Sequence, residues 1–198
     1  LMDTHHHSLK YEQQLRLDQG KKLRASESWG WTGDKDLTNA SMLNVFDDIV
    51  GRLDDGAVWV EVGVWCGAGI RYAMEESIRQ DKEIDFHGVD LFVTEFNGQA
   101  QLDVFRLNTG LHSYMLTTHV EESVKAAMLF DEVDFVFIDA DHSYESVIAD
   151  LDAWWPKTKY IAGDDYTPEH PGVVQAVDEF KEKNNLNLTV RGITWELF

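Results

Sequence analysis

The sequence predicts a doubly wound α/β domain on a mostly parallel sheet with a C-terminal hairpin, and three observations carry that prediction. Short apolar runs rich in β-branched residues alternate with helical periodicity five times between residue 57 and about residue 180. The first run passes through a glycine-bearing loop into a helix, "VEVGVWCGAGIRY" at 60–72. Carboxylates gather where runs stop, at Asp90, Asp139 and Asp164. Because each crossover must return the chain to the same end of the sheet, repeated strand–helix units demand parallel strands with helices on both faces.

Met42, Val45, Phe46, Ile49, Val50 and Leu53 fall at helical spacing, with Thr38, Asn39 or Ser41 as the cap and Gly51 to Gly56 as the end. "AVWVEVG" (57–63) reads as a buried strand, and Ile70, Ala73, Met74 and Ile78 form the stripe of the helix after it. Strand "IDFHGVD" (84–90) leads to a helix around 97–107, and strand "SYMLTTHV" (113–120) to a helix bearing Val124, Ala127 and Met128. Strand "VDFVFID" (133–139) precedes a helix with Val147, Ile148, Leu151 and Trp154. Strand "KYIAGD" (159–164) precedes one with Val173, Val174, Val177 and Phe180. "LNLTVRGITWELF" closes the chain as a hairpin turning at Arg191 and Gly192. Residues 1–37 read as an N-terminal extension or lid, in which Trp29 and Trp31 flank Gly30, and residues 38–198 as one domain.

The 198 residues, 43% of them hydrophobic, suffice for one substantial core. A formal charge of −19 opposes phosphate backbones and anionic bilayers, so nucleic acid and membranes are not expected partners. A small molecule is, and a homodimer is left open. A lone cysteine, Cys66, no membrane-length apolar run and no signal-peptide layout point to a cytoplasmic protein. Cys66, with no histidine beside it in sequence, reads as a packing residue, and His5, His6 and His7 as a solvated tail.

Chemistry is expected beyond the carboxyl ends of the strands, where such sheets bind ligands. Glu61, Gly63, Gly67 and Gly69 form E-x-G-x-x-x-G-x-G, distinct from the G-x-G-x-x-G of dehydrogenases, with glycines that admit a ligand to the backbone and a helix amino end. Asp90, 21 residues after Gly69, stands where a carboxylate accepts hydrogen bonds from ribose. Asp139, Asp141 and His142 close one strand, and Asp164 and Asp165 another. So much negative charge calls for a cation or protons, and Mg²⁺ suits oxygen ligands.

"VEVGVWCGAG", "GVD" at 88–90, "DFVFIDADHSYESVIADLDAWWPK" and "AGDDYTPEHPGVVQAVDEF" together resemble the class I S-adenosylmethionine-dependent methyltransferases. Within them the likeness is to the branch with metal-dependent sugar O-methyltransferases. The resemblance implies a Rossmann-like, seven-stranded sheet whose last strand is antiparallel. It implies that Glu61, Gly63, Gly67, Gly69, Asp90 and Asp139 bind S-adenosylmethionine, and that Asp139, Asp164 and Asp165 hold Mg²⁺. Asp141 would be the base by likeness to the sugar-modifying members, His142 by likeness to catechol-type ones. The expected activity is methyl transfer to a small-molecule hydroxyl, of a sugar by analogy. Two rivals stand beside it: a glycosyltransferase using D-x-D of "IDADH" for a nucleotide-sugar, and a non-catalytic adenosyl-binding protein.

Overall fold

The structure is a computed structural model that describes residues 40–96, 99–158 and 160–198. The expected 1–37 extension lies outside the described residues. Helix α1 (Ala40–Arg52) leads to β1 (Ala57–Val62), α2 (Ala68–Arg79) and β2 (Ile84–Asp90). A small pair, β3 (Glu95–Phe96) and β4 (Gln99–Ala100), precedes α3 (Gln101–Thr109), a 3-10 turn over Gly110–Met115 and β5 (Leu116–Val120). Then come α4 (Ser123–Ala127), β6 (Phe135–Ile138), α5 (Tyr144–Trp154), β7 (Ile161–Gly163), α6 (Pro171–Asn184), β8 (Leu188–Arg191) and β9 (Thr194–Leu197).

Seven strands form one sheet in the order β5-β2-β1-β6-β7-β9-β8. Only β9 opposes the rest, pairing antiparallel with β7 on one side and β8 on the other. Alternation along the central strands sorts side chains onto two cores. Trp59, Phe86, Phe135 and Phe137 pack with Phe46, Ile49, Ile70 and Met74 under α1 and α2. Val60, Val62, Val136 and Ile138 pack with Leu151, Trp154, Val177 and Phe180 under α5 and α6. Burying the central strands on both faces explains their near-continuous apolar runs.

Two elements depart from expectation. Residues 113–115 belong to the 3-10 turn rather than to a strand, because β5 finds its partner on β2 only from Leu116 onward and His112 is buried 3.6 Å from Glu75. The helix expected from residue 97 begins at Gln101, whose backbone N–H donates to the Thr94 carbonyl at 2.9 Å and whose side chain bridges Thr94 and Trp65. Among the described residues, no helix is long and apolar enough to cross a membrane.

Candidate active site

Parallel strands β1, β2, β6 and β7 end side by side, so the residues that follow them are neighbours in space though far apart in sequence. Glu61 alternates onto the Trp59 face and is buried near the tip of β1. Beyond it the chain turns at Gly63, with φ +84°, where a Cβ would lie 2.0 Å from the Asp139 carbonyl oxygen. Only glycine permits that backbone and that approach of β1 to the exit of β6. Gly67 caps α2 in the left-handed region. The Ile70 N–H donates to the Glu61 carboxylate, yet Glu61 Oε2 is buried with no hydrogen-bond partner among the described residues. Burial first, and the Asp139 charge second, hold the Glu61 pKa well above the usual carboxylate range.

Asp90 holds the same loop from the next strand. Its Oδ2 accepts the Trp65 N–H at 2.9 Å and its Oδ1 the Phe92 N–H at 2.8 Å, leaving a further lone pair on each oxygen for a ligand. A cavity of about 600 Å³ opens beside it, lined by Trp65, Asp90, Gln101, Glu121, Ser123 and Asp150 among others. Burial pushes the Asp150 carboxyl up to about 6, partly offset by a hydrogen bond with Ser123, whose Oγ also accepts the Trp154 indole N–H at 2.9 Å. Cys66 is buried within the loop, and burial, then the Asp90 charge, push its thiol up to about 11, which suits packing rather than nucleophilic attack.

A smaller cavity of about 280 Å³ is lined by Met42, Glu61, Asp139, His142 and Asp165 among others, and shares Gly63, Trp65, Asp139 and Ala140 with the larger one. Burial, then the charges of Asp164 and Asp165, push Asp139 up to about 8. His142 Nε2 stands 2.9 Å from Asp165 Oδ2, and His170 Nε2 stands 3.7 Å from Asp165 Oδ1. His170 precedes α6, and the helix start comes this close because Gly172 lies against residues 142–144, where a Cβ would meet the His142 carbonyl oxygen at 2.6 Å.

The predicted residues are thus divided. Glu61, Gly63, Gly69, Asp139, His142 and Asp165 share the smaller cavity. Asp90 and Asp141 line the larger one with Gly63 and Asp139, and Gly67 caps the helix. Asp141 is exposed, and Ser143 donates to its Oδ1 from both backbone N–H and hydroxyl, which hold its pKa below the usual range. Asp164 faces the C-terminal strand: its Oδ1 accepts from Thr194 Oγ1 at 3.0 Å and its carbonyl from the Trp195 indole at 3.1 Å. Among the described residues, the three side chains whose ligand atoms all lie within 4.8 Å of one another are His142, Asp165 and His170, and not the aspartate trio. Mg²⁺, which asks for oxygen donors in near-octahedral array, does not fit that set. S-adenosylmethionine does fit the cradle, through the glycine turn, the unpartnered Glu61 oxygen and the Asp90 lone pairs. Sequence reasoning missed His170, Gln101 and Asp150. A histidine six places after Asp164 and just before a helix-opening proline was the only available signal.

No curated protein sequence matches this chain. Among solved structures, the precorrin-6y C5,15-methyltransferase of Geobacter metallireducens GS-15 superposes with a TM-score of 0.62 at 15% identity, over 85% of this chain and 93% of that one. The O-methyltransferase TomG of Streptomyces achromogenes, in complex with S-adenosylmethionine, gives 0.54 at 14% identity, over 81% and 79%. MycE of the mycinamycin pathway, solved with Mg, S-adenosylhomocysteine and mycinamycin VI, gives 0.53 at 13% identity, over 78% of this chain and 47% of its own. At such identities these likenesses establish the fold alone. A family described as "Methyltransferase domain" matches residues 60–166, more than half the chain and the span from β1 to the loop after β7. With that match, the seven-stranded sheet and the strand-end cradle, the chain belongs to the class I S-adenosylmethionine-dependent methyltransferases.

Proposed function

We propose that this protein transfers the methyl group of S-adenosylmethionine to a hydroxyl of a small polar molecule, a sugar being the first acceptor to test. The observation that carries the reading is the junction of the two cavities at Gly63, Trp65, Asp139 and Ala140. The larger cavity, over Asp90, accommodates an adenosyl group, and the smaller one places His142 and Asp165 on the far side of that junction. Bound across it, S-adenosylmethionine supplies an electrophilic methyl on a sulfonium that loses its charge on transfer. Asp90 offers its carboxylate to a cationic ligand. Glu61 and Asp139, whose carboxyls burial and neighbouring charge hold above the usual range, are drawn toward ionisation by the ligand's positive charge, and the Gly63 turn fixes the distance between the two halves. Holding two reactants in line in this way supplies much of the acceleration such a displacement needs. Activation of the hydroxyl falls to His142 with Asp165, since the Asp141 carboxylate is already engaged by Ser143.

The charges also speak against a nucleotide-sugar. Among the described residues lining the two cavities there is no lysine or arginine to meet a diphosphate, while Asp90, Glu121, Glu122 and Asp150 would repel one. The lone buried thiol suits a cytoplasmic setting.

Calorimetry should show S-adenosylhomocysteine binding and no response to UDP-sugars. In methyl-transfer assays on hydroxylated small molecules, His142→Ala should lower kcat by about 100-fold or more. Its affinity for S-adenosylhomocysteine should stay within about threefold, because the imidazole lies outside the adenosyl cavity. Asp141→Asn should cost much less. An unchanged rate in His142→Ala would sink the assignment of His142, and absence of S-adenosylhomocysteine binding the reading as a whole.

A further inference from the structure

Two imidazoles and one carboxylate face one another at the acceptor side of the site, brought there by three separate segments: the exit of β6, the exit of β7 and the start of α6. His142 alone would satisfy Asp165, at 2.9 Å. The second imidazole, with Nε2 3.7 Å from the other carboxylate oxygen, stands beyond hydrogen-bond length and gains no direct bond from that position. Yet the packing enforces the position, since Gly172 lets α6 close onto residues 142–144 and sets the two rings 4.3 Å apart between centroids.

We infer that His142, Asp165 and His170 form a site for one late first-row divalent cation of the Zn²⁺ or Co²⁺ class, in place of Mg²⁺ on three aspartates. Bonds of about 2.0–2.2 Å from a central ion put donor atoms roughly 3–4 Å apart, and here one ligand atom from each of the three residues lies within 4.8 Å of the other two, so small side-chain rotations close the set around an ion. Two nitrogen donors and one oxygen donor select a borderline cation over hard Mg²⁺. Three protein ligands leave further positions free, and because His142 and Asp165 line the smaller cavity, those positions open toward the acceptor. The cation site stands on this geometry alone; its part in the reaction rests on the methyltransferase reading, in which His142 activates the hydroxyl as a ligand of the cation, the cation lowers the hydroxyl's pKa, and the proton leaves to solvent water.

The test uses the full chain with His5, His6 and His7 replaced by alanine, so that a histidine tract, a chemistry able to take such cations, contributes nothing to the signal. The protein is stripped with a chelator, then titrated with Co²⁺ by absorption spectroscopy and with Zn²⁺ and Mg²⁺ by calorimetry. S-adenosylhomocysteine affinity and thermal unfolding are followed in the same preparations. We expect one equivalent of Co²⁺ with a ligand-field band, and Zn²⁺ bound at least about 100-fold more tightly than Mg²⁺. His170→Ala and the milder His170→Gln should each weaken Zn²⁺ by about 100-fold or more, with S-adenosylhomocysteine binding retained, while Asp164→Asn should stay within about threefold of the parent. Equal affinity for Mg²⁺, loss of binding in Asp164→Asn, or full binding in both His170 variants would overturn the site. Co²⁺ binding without any S-adenosylhomocysteine binding would support the cation site and sink the methyltransferase reading.

Discussion

Asp150 reaches the larger cavity from the second turn of α5 and is almost wholly buried, so its carboxyl is held near 6 rather than in the usual range. The sign follows from linkage. A carboxyl whose folded pKa exceeds its unfolded one favours the fold most while protonated, below about 4, and that contribution is lost as pH rises through 6. Asp150→Asn keeps the shape without the charge and should raise Tm at pH 7.5, by no more than about 3 kcal/mol of stability, and leave it nearly unchanged at pH 4.5. Thermal melts at the two pH values decide it, and a Tm gain of the same size at both would refute the argument. Residues of this kind were hard to see in advance. Glu61, Asp90 and Asp139 were legible because a parallel sheet brings its strand ends together whatever the intervening sequence. His170 was not, since its place depends on a glycine two residues on that presses α6 against another loop. Asp164 was legible as a strand-end carboxylate, but its bond to Thr194 depends on a strand 30 residues away.

At the scale of elements, Gly63 joins β1 to the exit of β6, and an added methyl would meet backbone at 2.0 Å in a left-handed conformation. Backbone cannot yield as a side-chain tip can. Gly63→Ala should therefore lose roughly 3 kcal/mol or more in urea unfolding and abolish S-adenosylhomocysteine binding; a stable variant that still binds would refute the role given to this turn. The strand and helix segments of the two cores were readable because both periodicities coincide with burial, as Trp59 and Val60 on opposite faces of β1 illustrate. Segments at the sheet's edge were read less well. In β5 no residue is fully buried, and α4 stops at Ala127, leaving Met128 78% exposed, so local apolar pattern there did not report the core.

Over the whole molecule, a charge of −19 is a self-repulsion that the fold carries. Raising ionic strength from about 0.01 to about 0.15 M shortens the screening length from roughly 30 to 8 Å. Tm should rise across that range, and a flat or falling Tm would show the charge to be paired locally instead. The C-terminal hairpin has a consequence of another kind. Because β9 slots between β7 and β8, the loop carrying Asp164 and Asp165 is fastened by Thr194, Trp195 and the Ile193 carbonyl, all from the closing segment of the chain. During ribosomal synthesis Asp90 emerges close behind Trp65 and just ahead of Phe92, whose N–H groups it accepts, and the Gly63 turn meets its neighbour once β6 and Asp139 follow, whereas the loop of Asp164 and Asp165 waits for Ile193, Thr194 and Trp195. A nascent chain thus closes the strand ends around Gly63 and Asp90 before it fastens the loop of Asp164 and Asp165, which stays loose until the final strand docks.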